Sequence, residues 1–272
     1  SGKFDGHHFK IDSLFVNVTS EAGLFGYTEN AEITRLRLTD CNVKGGNTGA
    51  LVGCLIETDI DSCGVSGIVN GSTRTGGFVG NAVWKSGASA SNIKNSYSRC
   101  KVYASHLSGG FIGFNASSDI KRCFSTGSVI GEKSQHGQVG GFCGYSSMSM
   151  QDCYSTGSVT DSAIVGGFIG NLGDWKHLTN CYSSGTVSGN VDVGGLVGKK
   201  GTNSNINNCY WDTESSGITT SEGGTGKTTN EMKTGSSFNN WDFTNTWGIS
   251  RIYNQGYPSF KWQYAITKRD IS

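Results

Sequence analysis

A five-residue word, Gly-Gly-hydrophobic-hydrophobic-Gly, recurs along most of this chain and limits its possible folds more than any other feature. Five close copies lie at residues 76–80, 109–113, 140–144, 166–170 and 194–198, and two looser copies lie at residues 22–26 and 49–53. The third residues of these seven copies are Leu24, Leu51, Phe78, Phe111, Phe142, Phe168 and Leu196. Successive third residues are 26 to 33 positions apart. Such a period is typical of a solenoid, in which each coil packs only on its neighbours.

A second pattern follows the glycine word by about ten residues and predicts strands. Its clearest copies lie at residues 120–129, 150–159 and 178–187, where Cys, Ser, Gly and Val occupy alternate positions. Alternation is the period of a β-strand, and helical spacing is absent. A strand that recurs once per coil pairs with its equivalent in the next coil, which satisfies the backbone groups of both. We therefore expect an all-β fold, a single parallel β-solenoid of about seven to eight coils.

The repeat covers residues 1–210, and residues 211–272 differ from it in composition. The end of a solenoid exposes unpaired strand edges, which have to be covered. The last part of the chain is rich in aromatic residues, which are Phe238, Trp241, Phe243, Trp247, Tyr253, Tyr257, Phe260 and Trp262. We expect residues 1–210 to form the solenoid and residues 211–272 to form a C-terminal capping segment.

The nine cysteines of the chain raise the possibility of a disulfide scaffold, but their place in the repeat argues against one. Aligning the coils puts seven residues in one column, which are Leu36, Cys63, Ser96, Cys123, Cys153, Cys181 and Cys209. Because leucine occupies one position, the column is predicted to face the interior, where cysteine behaves as a small apolar residue. Parallel side chains on adjacent coils fit the disulfide torsion poorly, so reduced thiols are expected.

The column that follows the cysteines is the main candidate for a binding surface. It contains Gly64, Tyr97, Phe124, Tyr154, Tyr182 and Tyr210. If the cysteine column faces inward, strand alternation turns these five aromatic residues outward. Aromatic faces in solvent stack on sugar rings, so the five are candidate ligand-binding residues. Two alternatives stay open, because a tail segment could cover the column or a bulge could bury it.

Two coils are longer than the others and carry inserted residues at positions 83–90 and 132–138. Insertions in a repeat become surface loops, which often carry binding residues. We therefore add Trp84, in the first insertion, to the candidate ligand-binding residues. The alternative is that the insertions have no function.

Enzymes built on β-solenoids need carboxylates from adjacent coils on one face. The column four residues before the cysteines contains Asp59, Asn92, Asp119, Ser149, His177 and Asn205. The column one residue before them contains Ser62, Asn95, Arg122, Asp152, Asn180 and Asn208. Neither column is expected to place two carboxylates on neighbouring coils, and the Asn-rich one is expected to form hydrogen bonds at corners. The sequence predicts no catalytic residue, although a site built from the inserted loops stays open.

No cofactor or metal is predicted from the motifs. Residues 221–228 imitate a phosphate-binding loop, but Ser221 stands where glycine is needed, and no strand-then-helix context surrounds it. No His-Glu-x-x-His and no Cys-x-x-Cys sequence occurs. Asp59 with Asp61, and Asp212 with Glu214, lack the full ligand set of a calcium loop.

The charge balance gives no indication of a nucleic-acid partner. The chain has 22 Lys and Arg residues against 21 Asp and Glu residues, a net charge of +1, whereas nucleic-acid-binding domains are commonly basic. No apolar run long enough to cross a bilayer occurs, and the first residues lack the apolar region of a signal peptide. Direct membrane insertion is not expected, and an exported protein would be present here in a mature or excised form.

The glycine word and its flanks resemble a known repeat family. The Gly-Gly-Leu-Val-Gly word at residues 194–198 is similar to the GLUG motif, and its other copies extend the resemblance over nearly the whole chain. The segments around the array, Phe4-Asp5-Gly6, Tyr210-Trp211-Asp212 and Trp241-Asp242-Phe243, resemble those that flank such arrays. The resemblance implies a β-solenoid in an exported bacterial protein. Such proteins include adhesin-like molecules and the non-catalytic part of some immunoglobulin A-specific metalloendopeptidases.

Repeats without a carboxylate cluster favour a non-enzymatic, extracellular or cell-surface binding and adhesion module. We expect its partner to be a glycan or a cell-surface protein, and the chain could be part of a larger surface protein or assembly. One alternative is a carbohydrate-active enzyme of the β-helix type, a polysaccharide lyase or glycoside hydrolase with a loop-built site. The other is the receptor-binding part of a viral or phage fibre.

Overall fold

A computed structural model describes residues 2–132 and 137–264 of the chain. The backbone winds through parallel β-sheets in which the equivalent strands of successive coils lie side by side. About seven coils are formed, which confirms the all-β solenoid predicted from the repeat. Among the described residues, no helix has the length and apolar character needed to span a bilayer.

The strands are numbered in chain order. The first twelve are β1 (Gly2–Asp5), β2 (Lys10–Asp12), β3 (Phe15–Asn17), β4 (Phe25–Thr34), β5 (Arg37–Gly45), β6 (Thr48–Gly49), β7 (Val52–Asp61), β8 (Gly64–Gly71), β9 (Arg74–Gly76), β10 (Val79–Ala82), β11 (Ser91–Lys94) and β12 (Tyr97–Ala104). The next twelve are β13 (Leu107–Gly109), β14 (Ile112–Asn115), β15 (Ser118–Lys121), β16 (Phe124–Ser125), β17 (Val129–Gly131), β18 (Gln138–Gly140), β19 (Cys143–Ser146), β20 (Met150–Gln151), β21 (Tyr154–Ser155), β22 (Val159–Thr160), β23 (Ile164–Gly166) and β24 (Ile169–Leu172).

The remaining strands close the solenoid and lead into the C-terminal segment. They are β25 (His177–Thr179), β26 (Tyr182–Ser183), β27 (Val187–Ser188), β28 (Val191–Gly194), β29 (Val197–Lys200), β30 (Asn205–Asn207), β31 (Tyr210–Asp212), β32 (Thr225–Lys227), β33 (Trp247–Ile249) and β34 (Pro258–Phe260). The helices are short. They are α1 (Thr213–Ser216), α2 (Thr229–Met232) and two 3-10 turns at Gly235–Ser237 and Asn254–Gly256.

The first two glycines of the five close words allow a tight turn within the coil and a close approach between successive coils. At Gly166 an added Cβ would overlap the carbonyl oxygen of Ile169 in the same coil and lie 2.9 Å from Gly198 N in the next coil, and at Gly167 it would overlap the carbonyl oxygen of Gly195 in the next coil. A larger residue at either position would push the backbone apart. The recurrence of the glycines is therefore a direct requirement of the coil spacing.

The third residues of the words stack inside the solenoid. Phe78, Phe111, Phe142 and Phe168 are fully buried, with successive ring centroids 4.6, 4.8 and 4.9 Å apart. The cysteine column also faces this interior, and all nine cysteines are buried and unpaired. The inward orientation and the reduced state predicted for that column are both confirmed.

The column before the cysteines forms a row of left-handed corners. The backbone φ lies between 50° and 58° at every one of its positions, which are Arg35, Ser62, Asn95, Arg122, Asp152, Asn180 and Asn208. Asparagine tolerates this conformation better than most residues, which explains the Asn-rich composition. Side chains also connect adjacent corners, since Arg122 Nε donates to Asn95 Oδ1 at 2.9 Å and Asn180 Nδ2 donates to Asp152 Oδ1 at 3.1 Å. The corner hydrogen bonds predicted from the sequence are therefore present.

The two ends of the solenoid are covered to different extents. At the C-terminal end β32 pairs in parallel with β31, and the indole N–H of Trp211 donates to Ile218 O at 2.9 Å. At the N-terminal end Phe9 and Phe15 are exposed to solvent. The residues after 210 thus supply a cover for one end, as a capping segment should.

Candidate ligand-binding cleft

Five aromatic residues form an outward column on the sheet that contains β12, β16, β21, β26 and β31. They are Tyr97, Phe124, Tyr154, Tyr182 and Tyr210, and we call them the aromatic ladder. Successive rings from Tyr97 to Tyr182 stack with centroids 5.2, 4.9 and 5.0 Å apart. The ladder belongs to an apolar cluster separate from the solenoid interior, so its outward orientation agrees with the sequence prediction.

A C-terminal plate, defined here as residues 238–264, covers most of the ladder. Phe124, Tyr154, Tyr182 and Tyr210 are at most 4% exposed. Rings of the plate pack on them, including Trp247, whose centroid lies 6.1 Å from that of Tyr154 and 6.2 Å from that of Tyr182. Because a bare aromatic column would leave a large apolar area in water, covering it stabilises the fold. Of the alternatives left open by the sequence, cover by the tail is the one observed.

Polar contacts hold the plate at defined positions on the ladder. The Tyr182 hydroxyl donates to Pro258 O at 2.6 Å, and the Trp241 indole N–H donates to Asn208 O at 2.9 Å. The Tyr154 hydroxyl and the Gln263 side chain are hydrogen-bonded at 3.1 Å. The C-terminal segment therefore packs along the side of the solenoid as well as over its end, a placement that the sequence did not indicate. A ligand could reach Tyr182 and Tyr210 only if the plate moved, and the binding role of the ladder remains a prediction.

Trp84 lies apart from the ladder. It is 67% exposed and sits between β10 and β11, which belong to a different sheet from the ladder strands. Within the described part of the chain, no ring contact joins Trp84 to another aromatic residue. The structure therefore does not bring the two groups of predicted binding residues together.

The plate stops short of the first ladder residue and leaves a cleft there. The cleft has a volume of about 450 Å³, which falls within the range of small-molecule sites. It is lined by Tyr97, Arg99, Phe124, Thr126, Tyr154, Ile252, Tyr253, Asn254, Trp262 and Gln263. Tyr97 and Trp262 are only partly buried, so aromatic surface faces the cleft from both the solenoid and the plate.

One polar side chain that lines the cleft, Arg99, has unused hydrogen-bonding capacity. The Arg99 guanidinium lies 5.0 Å from the centroid of the Tyr97 ring, a cation–π contact that leaves its N–H groups available. No ion pair to Arg99 is found within residues 2–132 and 137–264. The cleft thus combines aromatic faces with a guanidinium that has no ion-pair partner among the described residues.

The tyrosine at the inner wall of the cleft is held neutral. Burial raises the pKa of the Tyr154 hydroxyl well above its ordinary value, while its hydrogen bond with Gln263 and the positive charge of Arg99 act in the opposite direction. No carboxylate lines the described part of the cleft. The arrangement is suited to binding through stacking and hydrogen bonds, and it offers no pair of groups for acid–base chemistry.

Comparison with known proteins identifies the repeat. The family model of the GLUG motif matches residues 135–160 and 161–188. Two adjacent GLUG motifs therefore lie within this parallel β-solenoid. A comparison with curated proteins found no match. The crystal structure of a "putative immunoglobulin A1 protease" from Bacteroides ovatus is similar in fold, with a TM-score of 0.60 and 21% identity, and covers 95% of this chain and 77% of its own.

The matched GLUG repeats contain the middle of the ladder but only one wall of the cleft. Tyr154 and Tyr182 lie inside the matched ranges, whereas Tyr97, Arg99 and Trp262 lie outside them. Sequence reasoning also missed Arg99, and strand alternation could have found it, because it lies two residues after Tyr97 and faces the same side. No sequence signal indicated that the plate would form the other wall of the cleft, because the contacts of the plate are not part of the repeat.

A larger groove on the GLUG solenoid, of about 550 Å³, is lined mainly by polar and acidic residues of the first coils. In it Glu32 pairs in register with Asp59, which places two carboxylates on neighbouring coils. This corrects the expectation that the column four residues before the cysteines contains no such pair. The column begins one coil earlier than Asp59, because Glu32 lies four residues before Leu36 in the first coil.

Each carboxylate of this acidic groove already has a partner. Lys3 Nζ lies 2.6 Å from Glu32 Oε2, and the amide and side-chain nitrogens of Asn92 both donate to Asp59 Oδ1 at 2.9 Å. Among the described residues, no group of three or more His, Cys, Asp or Glu side chains is arranged to hold a metal ion. Structural contacts account for these carboxylates, and the groove has no aromatic wall.

Proposed function

We propose that this GLUG solenoid is a non-enzymatic, extracellular or cell-surface binding module, and that it binds a glycan in the cleft beside Tyr97. The observation that carries the proposal is the combination of open aromatic faces with the unpaired Arg99 guanidinium in one cleft of about 450 Å³. Sugars present apolar C–H faces that stack on aromatic rings and hydroxyl oxygens that accept hydrogen bonds.

The architecture supports this role in a second way. The coils form one continuous solenoid from β1 to β32, and its backbone hydrogen bonds run from each coil to the next. Such a rod presents a binding site at a fixed distance from whatever anchors it. The cleft lies on the side of the rod, where a glycan chain could pass along it.

The test is a glycan array probed with the native protein and with Trp262→Phe, Trp262→Ala and Tyr97→Ala variants. We expect the alanine variants to lose binding by about tenfold or more, since an aromatic stacking partner is removed. Trp262→Phe keeps an aromatic ring and should keep most of the binding. Trp84→Ala and Trp175→Ala, at residues 67% and 68% exposed, are controls for general surface effects. Thermal unfolding of each variant shows whether the fold is kept.

Two results would overturn the proposal. One is that the native protein binds no glycan on a broad array, and the other is that well-folded Tyr97→Ala and Trp262→Ala variants bind as the native protein does. Loss of binding in Trp84→Ala would instead place the site on the inserted loop. Capture of a defined surface protein through the same cleft, without glycan, would replace the glycan by a protein partner.

The second candidate function is a carbohydrate-active enzyme, and the acidic groove is the observation that favours it. Glu32 and Asp59 stand on adjacent coils, as an acid and base pair would. This function requires release of reducing or unsaturated ends from a polysaccharide panel, with loss of that release in Glu32→Gln and Asp59→Asn. If the native protein releases no such ends from any polysaccharide of the panel, the enzymatic function is rejected.

A further inference from the structure

The cleft beside Tyr97 carries a single charged side chain. Of the ten residues that line it, Arg99 alone is ionised at neutral pH, and the rest are aromatic, aliphatic, hydroxyl or amide residues. The cleft is therefore electropositive, although the whole chain is close to neutral, with a net charge of +1.

Arg99 differs from several other cations of the solenoid. Lys3 is paired with Glu32, Arg35 with Asp5, and Lys85 with Glu29. Arg99 has no carboxylate partner among the described residues, yet its side chain is held over the Tyr97 ring. A guanidinium that is positioned by a ring and not neutralised is ready to receive an anion from outside the protein.

We infer that the cleft selects carboxylated saccharides, with the Arg99 guanidinium binding the sugar carboxylate while Tyr97 and Trp262 contact the sugar ring. This inference rests on the proposed glycan-binding function. A planar carboxylate matches the guanidinium through two parallel N–H···O hydrogen bonds. The hydroxyl of Thr126 also lines the cleft and remains for a ring hydroxyl. One cation suits a singly charged carboxylate, whereas phosphate sites commonly gather several donors and cations around a more highly charged group.

Because Arg99 is exposed at the surface, its attraction for an anion is screened by salt. Binding of a carboxylated sugar should therefore weaken as the ionic strength rises. Binding of the corresponding neutral sugar should change little.

The experiment compares uronic-acid and sialic-acid oligosaccharides with their carboxyl methyl esters on the native protein. The esters keep the size and the ring hydroxyls of each sugar and remove only the charge. We expect the acids to bind about tenfold or more tightly than the esters, as charge-assisted hydrogen bonds do in other sites. In Arg99→Gln this preference should disappear, so that acids and esters bind equally. Arg99→Lys should retain part of it, since the charge stays and the planar pair of donors is lost.

Lys101→Gln is the matched control. Lys101 is the next outward cation on β12, is exposed, and does not line the cleft. Equal binding of acids and esters by the native protein, or an unchanged preference in Arg99→Gln, overturns the acid selectivity and leaves the glycan-binding function in place. Absence of binding to acids, esters and all neutral glycans of an array overturns both. A preference lost equally in Lys101→Gln would assign it to the general surface charge and also contradict the inference.

Discussion

The indole N–H of Trp247 donates to Asp152 Oδ1 at 3.3 Å, joining residues that are 95 positions apart. Trp247 is fully buried, and Asp152 is one of the left-handed corners of the solenoid. The same carboxylate oxygen accepts a hydrogen bond from Asn180 Nδ2 in the next coil. The C-terminal plate is thereby attached to the repeat at a corner as well as through its rings.

Trp247→Ala should loosen the plate and expose the ladder beneath it. Removing a buried tryptophan costs about 3–5 kcal/mol of unfolding free energy. We expect denaturant unfolding to show this loss, together with new binding of an apolar fluorescent dye to the uncovered ladder. Trp175→Ala, at an exposed position, should change the unfolding free energy by no more than about 0.5 kcal/mol. Unchanged stability in the Trp247 variant would contradict the packing described here.

Acid should weaken the junction between the solenoid and the plate through Asp212. Burial opposes ionisation of this carboxyl group, but hydrogen bonds from Tyr257, from Thr229 and from the amides at the start of α1 outweigh it and lower its pKa. A pKa lower in the folded state than in the unfolded state, about 3.9 for aspartate, gives stability that is present above that pH. It is lost as the pH falls through the folded pKa.

The measurement is the denaturation midpoint as a function of pH between neutrality and about pH 2. Asp212→Asn should be less stable at neutral pH by about 1–3 kcal/mol and should show a shallower fall in acid. Asp119→Asn, in β15 away from the plate, should keep the native pH profile. Parallel profiles for native protein and Asp212→Asn would show that this carboxyl group is not responsible.

The cysteines should be inert in the folded protein. Burial raises the pKa of the Cys54 thiol to about 11 and that of Cys63 to about 12, and the reactive species is the thiolate. A hydrogen bond with Cys100 lowers the pKa of Cys41, but this thiol is buried and out of reach of a reagent. We expect no rapid reaction with a thiol reagent under native conditions and reaction of all nine after denaturation without reductant. A reducing agent should leave the melting temperature unchanged. Fewer than nine reactive thiols in the unfolded chain would reveal a disulfide.

Gly167→Ala tests the role of the glycine word. The added methyl group would overlap Gly195 O of the next coil, so the coils would have to separate. We expect a loss of about 1–3 kcal/mol, as for overpacking in a core, measured by thermal unfolding. Gly2→Ala, where no atom lies within 4 Å of the new Cβ, should have little effect. Equal stability of the two variants would show that close coil spacing does not depend on glycine.

The sequence predicted those features that repeat. The spacing of the words from Leu24 to Leu196 indicated the solenoid, and alternation around Cys123 and Cys153 indicated which columns face inward. These predictions hold because each coil meets the same neighbours, so one local pattern is sampled many times.

The site depends on contacts that occur once. Gln263 reaches Tyr154 across 109 positions, and no periodic signal links them. Aromatic composition indicated that the last segment would cover an apolar surface. It did not indicate that the described part of this segment would lie along the ladder and leave Tyr97 partly open. The pairing of Glu32 with Asp59, by contrast, was within reach of the sequence, because Glu32 lies four residues before Leu36, the first member of the cysteine column.

The plate covers the ladder residues of four consecutive coils, from Phe124 to Tyr210. Its contacts therefore limit where a gene for such a protein can gain or lose a coil. Tandem duplication or loss of a coil between Asp152 and Tyr210 would move Trp247 out of reach of Asp152. Duplication before residue 97 would leave every contact of the plate intact. Natural variants of different length should therefore gain or lose coils on the N-terminal side, while the last four are inherited together with the tail.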